Sequence, residues 1–190
     1  MLGTFSRCVL AWHNLLRRGV ARGEERDQPA AADMRELVWD IELEEMAQRW
    51  ADQCTFGHGG DITKLDGTTV GQNVFMGSSS VQTDEEGLTT RASVPVERWY
   101  QEVAGFSSDD IEPFVLRPKT GHYTQVVWAS THSLGCATTY FREGRWLRHL
   151  VVCNYGGAGN LGGATMYTAG PACSSCPPAT SCVDSLCRAE

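Results

Sequence analysis

LGCATTYFREGRWLRHLVVCNY, residues 134–155, consists of two β-rich runs around one polar turn. Leu134–Phe141 and Trp146–Tyr155 carry the branched and aromatic residues that suit strands, and Arg142-Glu143-Gly144-Arg145 separates them. With Gly144-Arg145 as a two-residue turn, glycine takes the first central position, where a type II′ turn needs positive φ. That turn sets Glu143 opposite Trp146 and, carried along the strands, Cys136 opposite Cys153. Directly paired positions lie at a separation a disulfide can close, so the register predicts a Cys136–Cys153 bridge.

Outward from the hairpin the pattern changes. His122–Trp128 also alternates and is rich in β-formers, which predicts a strand with His122, Thr124, Val126 and Trp128 on one face. The first half reads as helices. Phe5, Val9, Trp12, Leu16 and Val20 recur at helical steps and predict an amphipathic helix over 5–20. Arg22–Asp33 is a charged loop. Asp40 is placed to cap a second helix marked by Leu43, Met46, Ala47, Trp50 and Cys54, which Gly57, Gly59 and Gly60 end near His58. Val70–Met76 predicts a strand and the Ser-rich Gly77–Thr90 a loop. Ser93 with Pro95 then opens a third helix that turns Val96, Trp99, Tyr100 and Val103 inward. Helices before an antiparallel hairpin give an α+β class, helices packed on a small sheet.

Composition narrows the function. The 190 residues carry a net charge of −7 with the cations scattered, which disfavours a phosphate-backbone partner, so nucleic acid is excluded. No apolar run is long enough to span a bilayer. Of the eight cysteines, Cys173, Cys176, Cys182 and Cys187 crowd the C-terminus. The Cys173–Cys176 spacing would suit a zinc ribbon, but the matching second pair is lacking, so the set reads as disulfides formed in an oxidising, extracellular compartment. Met1–Leu10 is interrupted by Arg7 and does not resemble a signal peptide, which points to an incomplete N-terminus, or else to non-classical export. No N-x-S/T sequon occurs.

Gly121-His122-Tyr123-Thr124-Gln125-Val126-Val127-Trp128 and Leu150-Val151-Val152-Cys153-Asn154-Tyr155 resemble the two signatures of the CAP superfamily, which groups cysteine-rich secretory proteins, antigen 5 allergens and pathogenesis-related proteins. His13-Asn14 with Arg17, Met34 with Leu37–Asp40, Trp50-Ala51 with Cys54, and Val70-Gly71-Gln72-Asn73-Val74 extend the resemblance in the correct order. The stretches QPAAADMRELVWD and VGQN are especially similar to arthropod venom antigen 5. The second signature departs at Gly157, where proline is commonest. The resemblance implies an α–β–α sandwich over 5–165, followed by a cysteine-rich hinge-like tail at 166–190. In that tail it implies Cys173–Cys182 and Cys176–Cys187 bridges. It also pairs Cys8 with Cys54, since antigen 5 proteins tie the second-helix cysteine to an upstream one.

The resemblance further implies a cleft where His58, His122, Glu102 and Gln72 meet, Gln72 standing where an acid is usual. His58 and His122 would be weak ligands for zinc, which is possible but not required, with Glu102 the one candidate general base. No G-x-S-x-G motif occurs, and the bridges would use every cysteine, so no nucleophile is apparent. Family members bind sterols and fatty acids, which implies a secreted, non-catalytic binding protein acting in venom, saliva or defence. The alternatives are a metal-assisted hydrolase and an extracellular protein ligand presented on the Gly77–Thr90 loop with a vestigial cleft. Trp50, Trp99 and Trp128 read as packing, His13 and Asn14 as braces of the first helix, and His132 and His149 as surface residues.

Overall fold

Strand residues with apolar side chains on both faces need cover on both sides, and this sheet has it. The computed structural model describes residues 2–59, 62–79 and 85–190, the stretch 85–91 by its backbone only. In chain order the elements are α1 (Thr4–Ala21), β1 (Val38–Trp39), α2 (Ile41–Ala51), β2 (Val70–Ser79), α3 (Glu85–Tyr100), α4 (Gly121–Val126), β3 (Ser133–Glu143), β4 (Trp146–Gly156), β5 (Thr180–Val183) and β6 (Leu186–Ala189). Four strands form one sheet in the order β1-β3-β4-β2, antiparallel except for the short parallel β1–β3 pairing. Along β4, Leu150 and Val152 pack with Ala47 and Ala51 of α2. The alternate residues Val151, Cys153 and Tyr155 join the larger core with Val9 and Val20 of α1, Val96 and Trp99 of α3 and Val126 of α4. That alternation makes the three layers of an α–β–α sandwich.

The hairpin pairs as its turn dictates. Glu143 faces Trp146, Cys136 faces Cys153, and Gly144 takes φ +58°. Cys136–Cys153 is bridged, as are Cys173–Cys182 and Cys176–Cys187. Asp40 caps α2 by accepting from the backbone N–H groups of Glu42 and Leu43.

Several expectations are corrected. Gly121–Val126 is helix, not strand. Tyr123, Thr124, Gln125 and Val126 are all buried, and the Thr124 hydroxyl bonds back to the carbonyls of Thr120 and Gly121. A helix under two turns long and buried all round shows no helical period, so β propensity misleads there. Pro95 lies inside α3, which begins at Glu85. Gly77–Ser79 end β2 and residues 85–90 begin α3, so only 80–84 of the expected loop remain, outside the described residues. The second helix stops at Ala51, short of the glycines, of which Gly60 is also outside the described residues. His149 is buried, stacked on Tyr140 with ring centroids 4.4 Å apart.

Cys8 and Cys54 are not bridged to each other. The start of α1 meets the first turn of α2, where the Ser6 hydroxyl donates to Glu44 at 3.3 Å. Cys54 lies beyond the far end of α2, ten positions on and roughly 15 Å away along a helix axis. The tail is held by more than its two bridges. Met166, Tyr167 and Leu186 are fully buried, Cys187 exchanges backbone hydrogen bonds with Met34 and Glu36, and Arg188 pairs with Glu36. No helix among the described residues is long and apolar enough to cross a membrane.

Two polar side chains occupy the centre of the buried face of α1. Arg17 donates to five backbone carbonyls. His13 is fully buried; its Nδ1–H donates to the Val9 carbonyl at 2.8 Å and its Nε2 accepts from the Tyr155 hydroxyl at 2.9 Å. Burial, with the Arg17 charge adding to it, lowers the His13 pKa to about 4. The unfolded chain takes up this proton near pH 6.5 while the folded chain resists it, so His13 contributes stability above pH 6.5 that is lost as pH falls toward 4. The loss should approach about 3 kcal/mol. Urea unfolding from pH 7 to pH 4 should show this slope, and His13→Gln should flatten it; an equal slope in the variant would refute the assignment.

Candidate functional site

The four residues singled out in the sequence line one cleft. Its volume is about 390 Å3, and its walls include His58, Gln72, Glu102 and His122 together with Asn73 and Lys119. Each arrives from a different element. His58 follows α2 in an irregular segment, Gln72 sits near the start of β2, Glu102 lies in the 3₁₀ turn after α3, and His122 is in the first turn of α4.

Hydrogen bonds fix what each can do. Glu102 accepts from His122 Nδ1 at 2.7 Å on one oxygen, and from the backbone N–H groups of His122 at 2.9 Å and Tyr123 at 3.3 Å on the other. Trp99 stacks on the His122 ring, centroids 6.2 Å apart, and Asn73 donates to the His122 carbonyl. A carboxylate oxygen only accepts, so Nδ1 carries a proton, and in the neutral ring the lone pair is the one on Nε2. Gln72 plays the same part for His58. Its Oε1 accepts from His58 Nδ1 at 3.3 Å and from the Gly59 N–H at 2.9 Å, and its Nε2 donates to Asn154 at 3.0 Å.

These hydrogen bonds leave the two Nε2 atoms as the candidate metal ligands of the cleft. Two imidazole Nε2 atoms, each backed by an oxygen on its other nitrogen, match the outer-shell arrangement of metal-binding histidines. Glu102 and Gln72 serve as those backing oxygens, so water would have to complete the coordination. Among the described residues, the one close trio of His, Cys, Asp or Glu donors is Cys173, Cys176 and Cys187, all of them bridged. Gln72 backs His58 with a neutral amide, a weaker support for a ligating imidazole than the carboxylate that backs His122.

A second, larger cavity was not legible in the sequence. An open trough of about 670 Å3 runs along α2, lined by Glu42, Glu45, Met46, Arg49, Trp50 and Gln53, with Ile62 and Leu65 opposite and Gln72 and Asn154 at its base. The α2 positions recur at steps of three and four and form a stripe beside the one packed on the sheet, Leu43, Ala47 and Ala51. Its apolar walls are Met46, Trp50, Ile62 and Leu65, and Leu65 is 98% exposed. Trp50 thus borders a cavity as well as packing in the smaller core, whereas Trp128 lies wholly in the core against Phe114. The paired spacing of Glu42, Met46, Trp50 and Glu45, Arg49, Gln53 was the available signal. The wall that faces it comes from a loop that no local pattern places.

Comparison with known proteins bears on this arrangement. The family described as "CAP: Cysteine-rich secretory protein family" matches residues 10–155. The protein named "CRISP/Allergen/PR-1" of Trittame loki is 40% identical over 185 residues, which is 94% of this chain and 44% of that relative. Venom allergen 5.02 of Vespa crabro is 40% identical over 164 residues, 84% of this chain and 77% of its own. This chain thus spans less than half the length of the first relative and about three quarters of the second. The crystal structure of NaASP2 with Zn2+ superposes with a TM-score of 0.76 at 31% identity, covering 98% of this chain and 96% of that one.

Proposed function

Because the chain belongs to the cysteine-rich secretory protein (CAP) family, as a venom allergen-like member, we propose that it is an extracellular, non-catalytic binding protein that takes a fatty acid or sterol in the α2 trough. The trough carries this reading. It is larger than the cleft, apolar along its walls and charged along its rim, and suited to an amphiphile that hides its chain and leaves its polar end in water. Three disulfides favour an oxidising compartment, as venom allergen-like relatives do.

Catalysis is disfavoured by how the cleft is wired. Glu102 has both oxygens committed to N–H donors of His122 and Tyr123, which makes it a holder of the imidazole and a poor proton acceptor for water. Of the two thiols, Cys8 has its pKa raised by burial, which suppresses the thiolate, and Cys54 lines none of the cavities described. That leaves the metal-assisted hydrolase without a base. The same cleft supports weak divalent-metal binding through His58 and His122, in line with the zinc present in NaASP2.

Oxidised protein is expected to bind cis-parinaric acid, displaceable by palmitate or cholesterol, in a fluorescence titration. Trp50→Ala, which removes the largest apolar wall, should weaken this about tenfold, the equivalent of burying roughly 55 Å2 less apolar surface. Unchanged affinity in that variant would exclude the trough as the ligand site.

A further inference from the structure

Four sulfurs converge in the tail, and we infer that Cys173, Cys176, Cys182 and Cys187, when reduced, form a structural zinc site that holds the tail where the two bridges hold it in the oxidised chain.

The spacing Cys173-Ser174-Ser175-Cys176 is that of a zinc knuckle, and the sequence offers no second pair at that spacing. The fold supplies one by another route. The β5–β6 register sets Cys182 directly opposite Cys187, on one face of the hairpin. Although they belong to two different bridges, the Sγ atoms of Cys173, Cys176 and Cys187 lie within 4.8 Å of one another, and Cys182 is bonded to the first of them. Zinc holds sulfur at about 2.3 Å, which sets tetrahedral thiolates about 3.8 Å apart. Three of the four sulfurs are thus within about 1 Å of ligand spacing.

The scaffold for this site is more than the bridges. Both cysteine pairs are anchored on one stretch of the domain, residues 32–36. On the knuckle side the Ser175 N–H donates to the Ala32 carbonyl at 3.0 Å. On the hairpin side the Cys187 N–H donates to the Met34 carbonyl at 2.9 Å, and the Cys187 carbonyl accepts from the Glu36 N–H at 3.0 Å. Leu186 and Cys187 are buried, Asp184 pairs with Arg18, and Arg188 pairs with Glu36. Reduction removes two covalent links from this arrangement and none of its packing or hydrogen-bond partners.

The bridged and zinc-bound states exclude each other, because a disulfide sulfur is no thiolate. Each bridge takes two electrons and two protons from a dithiol, which leaves as its own disulfide; zinc then displaces the four thiol protons. The Cys136–Cys153 bridge stands apart, buried in the larger core, whereas Cys182 is exposed. A chain whose tail bridges have not yet closed would therefore keep its tail docked through zinc.

The test uses the full chain with Cys8→Ser and Cys54→Ser, treated with dithiothreitol until alkylation and mass mapping show the tail bridges open and Cys136–Cys153 intact, then freed of the reductant without air. Cobalt chloride is the probe. One cobalt per chain is expected, with thiolate-to-metal charge transfer and strong tetrahedral d–d absorption, both bleached by zinc. The histidine cleft holds no sulfur and cannot give the charge-transfer band, so oxidised protein is the control. Cys187→Ser and Cys182→Ser should each weaken cobalt about a hundredfold, what a quarter of the weakest structural-zinc binding energy amounts to. Amide exchange over residues 180–189 of the reduced chain should slow about a hundredfold at zinc a hundred times its Kd. A reduced chain without the charge-transfer band would overturn the site. So would one cobalt per two chains, which places the ion between molecules, or binding indifferent to Cys187→Ser or Cys182→Ser. Zinc uptake with unchanged amide exchange would put the ion on an undocked tail and overturn the inference as well.

Discussion

Arg17→Met is expected to lower the unfolding free energy by about 3–5 kcal/mol, the range for breaking a buried charged network. The side chain is fully buried. Its guanidinium donates from Nε and Nη2 to the Arg35 carbonyl, and from its two terminal nitrogens to the carbonyls of Val126, Trp128, Ala129 and Thr131, at 2.7 to 3.2 Å. Burial pulls its pKa down to about 9, which still leaves it charged at neutral pH. Methionine matches the stem but offers no donor. The Trp128 and Ala129 carbonyls keep other partners, Thr131 N–H and Arg35 N–H, while Arg35, Val126 and Thr131 lose their Arg17 donor in a site closed to water. A buried acceptor without a donor costs about 1–3 kcal/mol. Arg17→Lys should fall between, because an ammonium has three donors and no planar fork. Urea unfolding at pH 7 measures both, and a loss below about 1 kcal/mol for methionine would show that the clamp is not needed.

The consequence reaches the cleft, since Val126–Thr131 starts at the last residue of α4 and Arg17 is what seats that segment against α1. It also explains where the sequence misleads. The apolar stripe Phe5, Val9, Trp12, Leu16, Val20 places α1 correctly, yet Phe5, Trp12 and Leu16 are only partly buried while Ser6, His13 and Arg17 lie on its buried centre line. Periodicity counts apolar residues and cannot see a polar one whose partners are remote carbonyls. What was legible had local causes: the II′ turn and its register, the Asp40 cap, and through the register the Cys136–Cys153 bridge. The grouping of His58, Gln72, Glu102 and His122 was legible only through family resemblance, because four elements supply one residue each. The trough was legible by neither route. The Cys8–Cys54 pairing failed because it was carried over from the family resemblance, which does not say how far the start of α1 lies from the far end of α2 in this chain.

Gly135→Ala should be about as damaging as the loss of Arg17, for a steric reason. The added carbon would stand 2.1 Å from the Glu44 nitrogen, 2.5 Å from the Leu43 carbonyl carbon and 2.6 Å from Leu43 Cβ. Two of these are backbone atoms of α2, so no rotamer change relieves the contact and the helix itself must lift from β3. Overpacking a core typically costs about 1–3 kcal/mol, and a clash with backbone belongs at or above the upper end. Gly19→Ala is the matched control. It lies inside α1 with one side-chain oxygen of Glu24 at 3.8 Å, and helix propensity alone should make it stabilising by up to about 1 kcal/mol. Opposite signs for one methyl group, measured by urea unfolding, would tie the effect of Gly135 to its contact with α2. The displacement also bears on binding, because α2 carries Met46 and Trp50 along one side of the trough while Ile62 and Leu65 stand on the other. Moving the helix changes the width of the trough. Any Gly135→Ala protein that still folds should therefore bind cis-parinaric acid more weakly than wild type, and unchanged affinity would mean that the apolar ligand does not sit against α2.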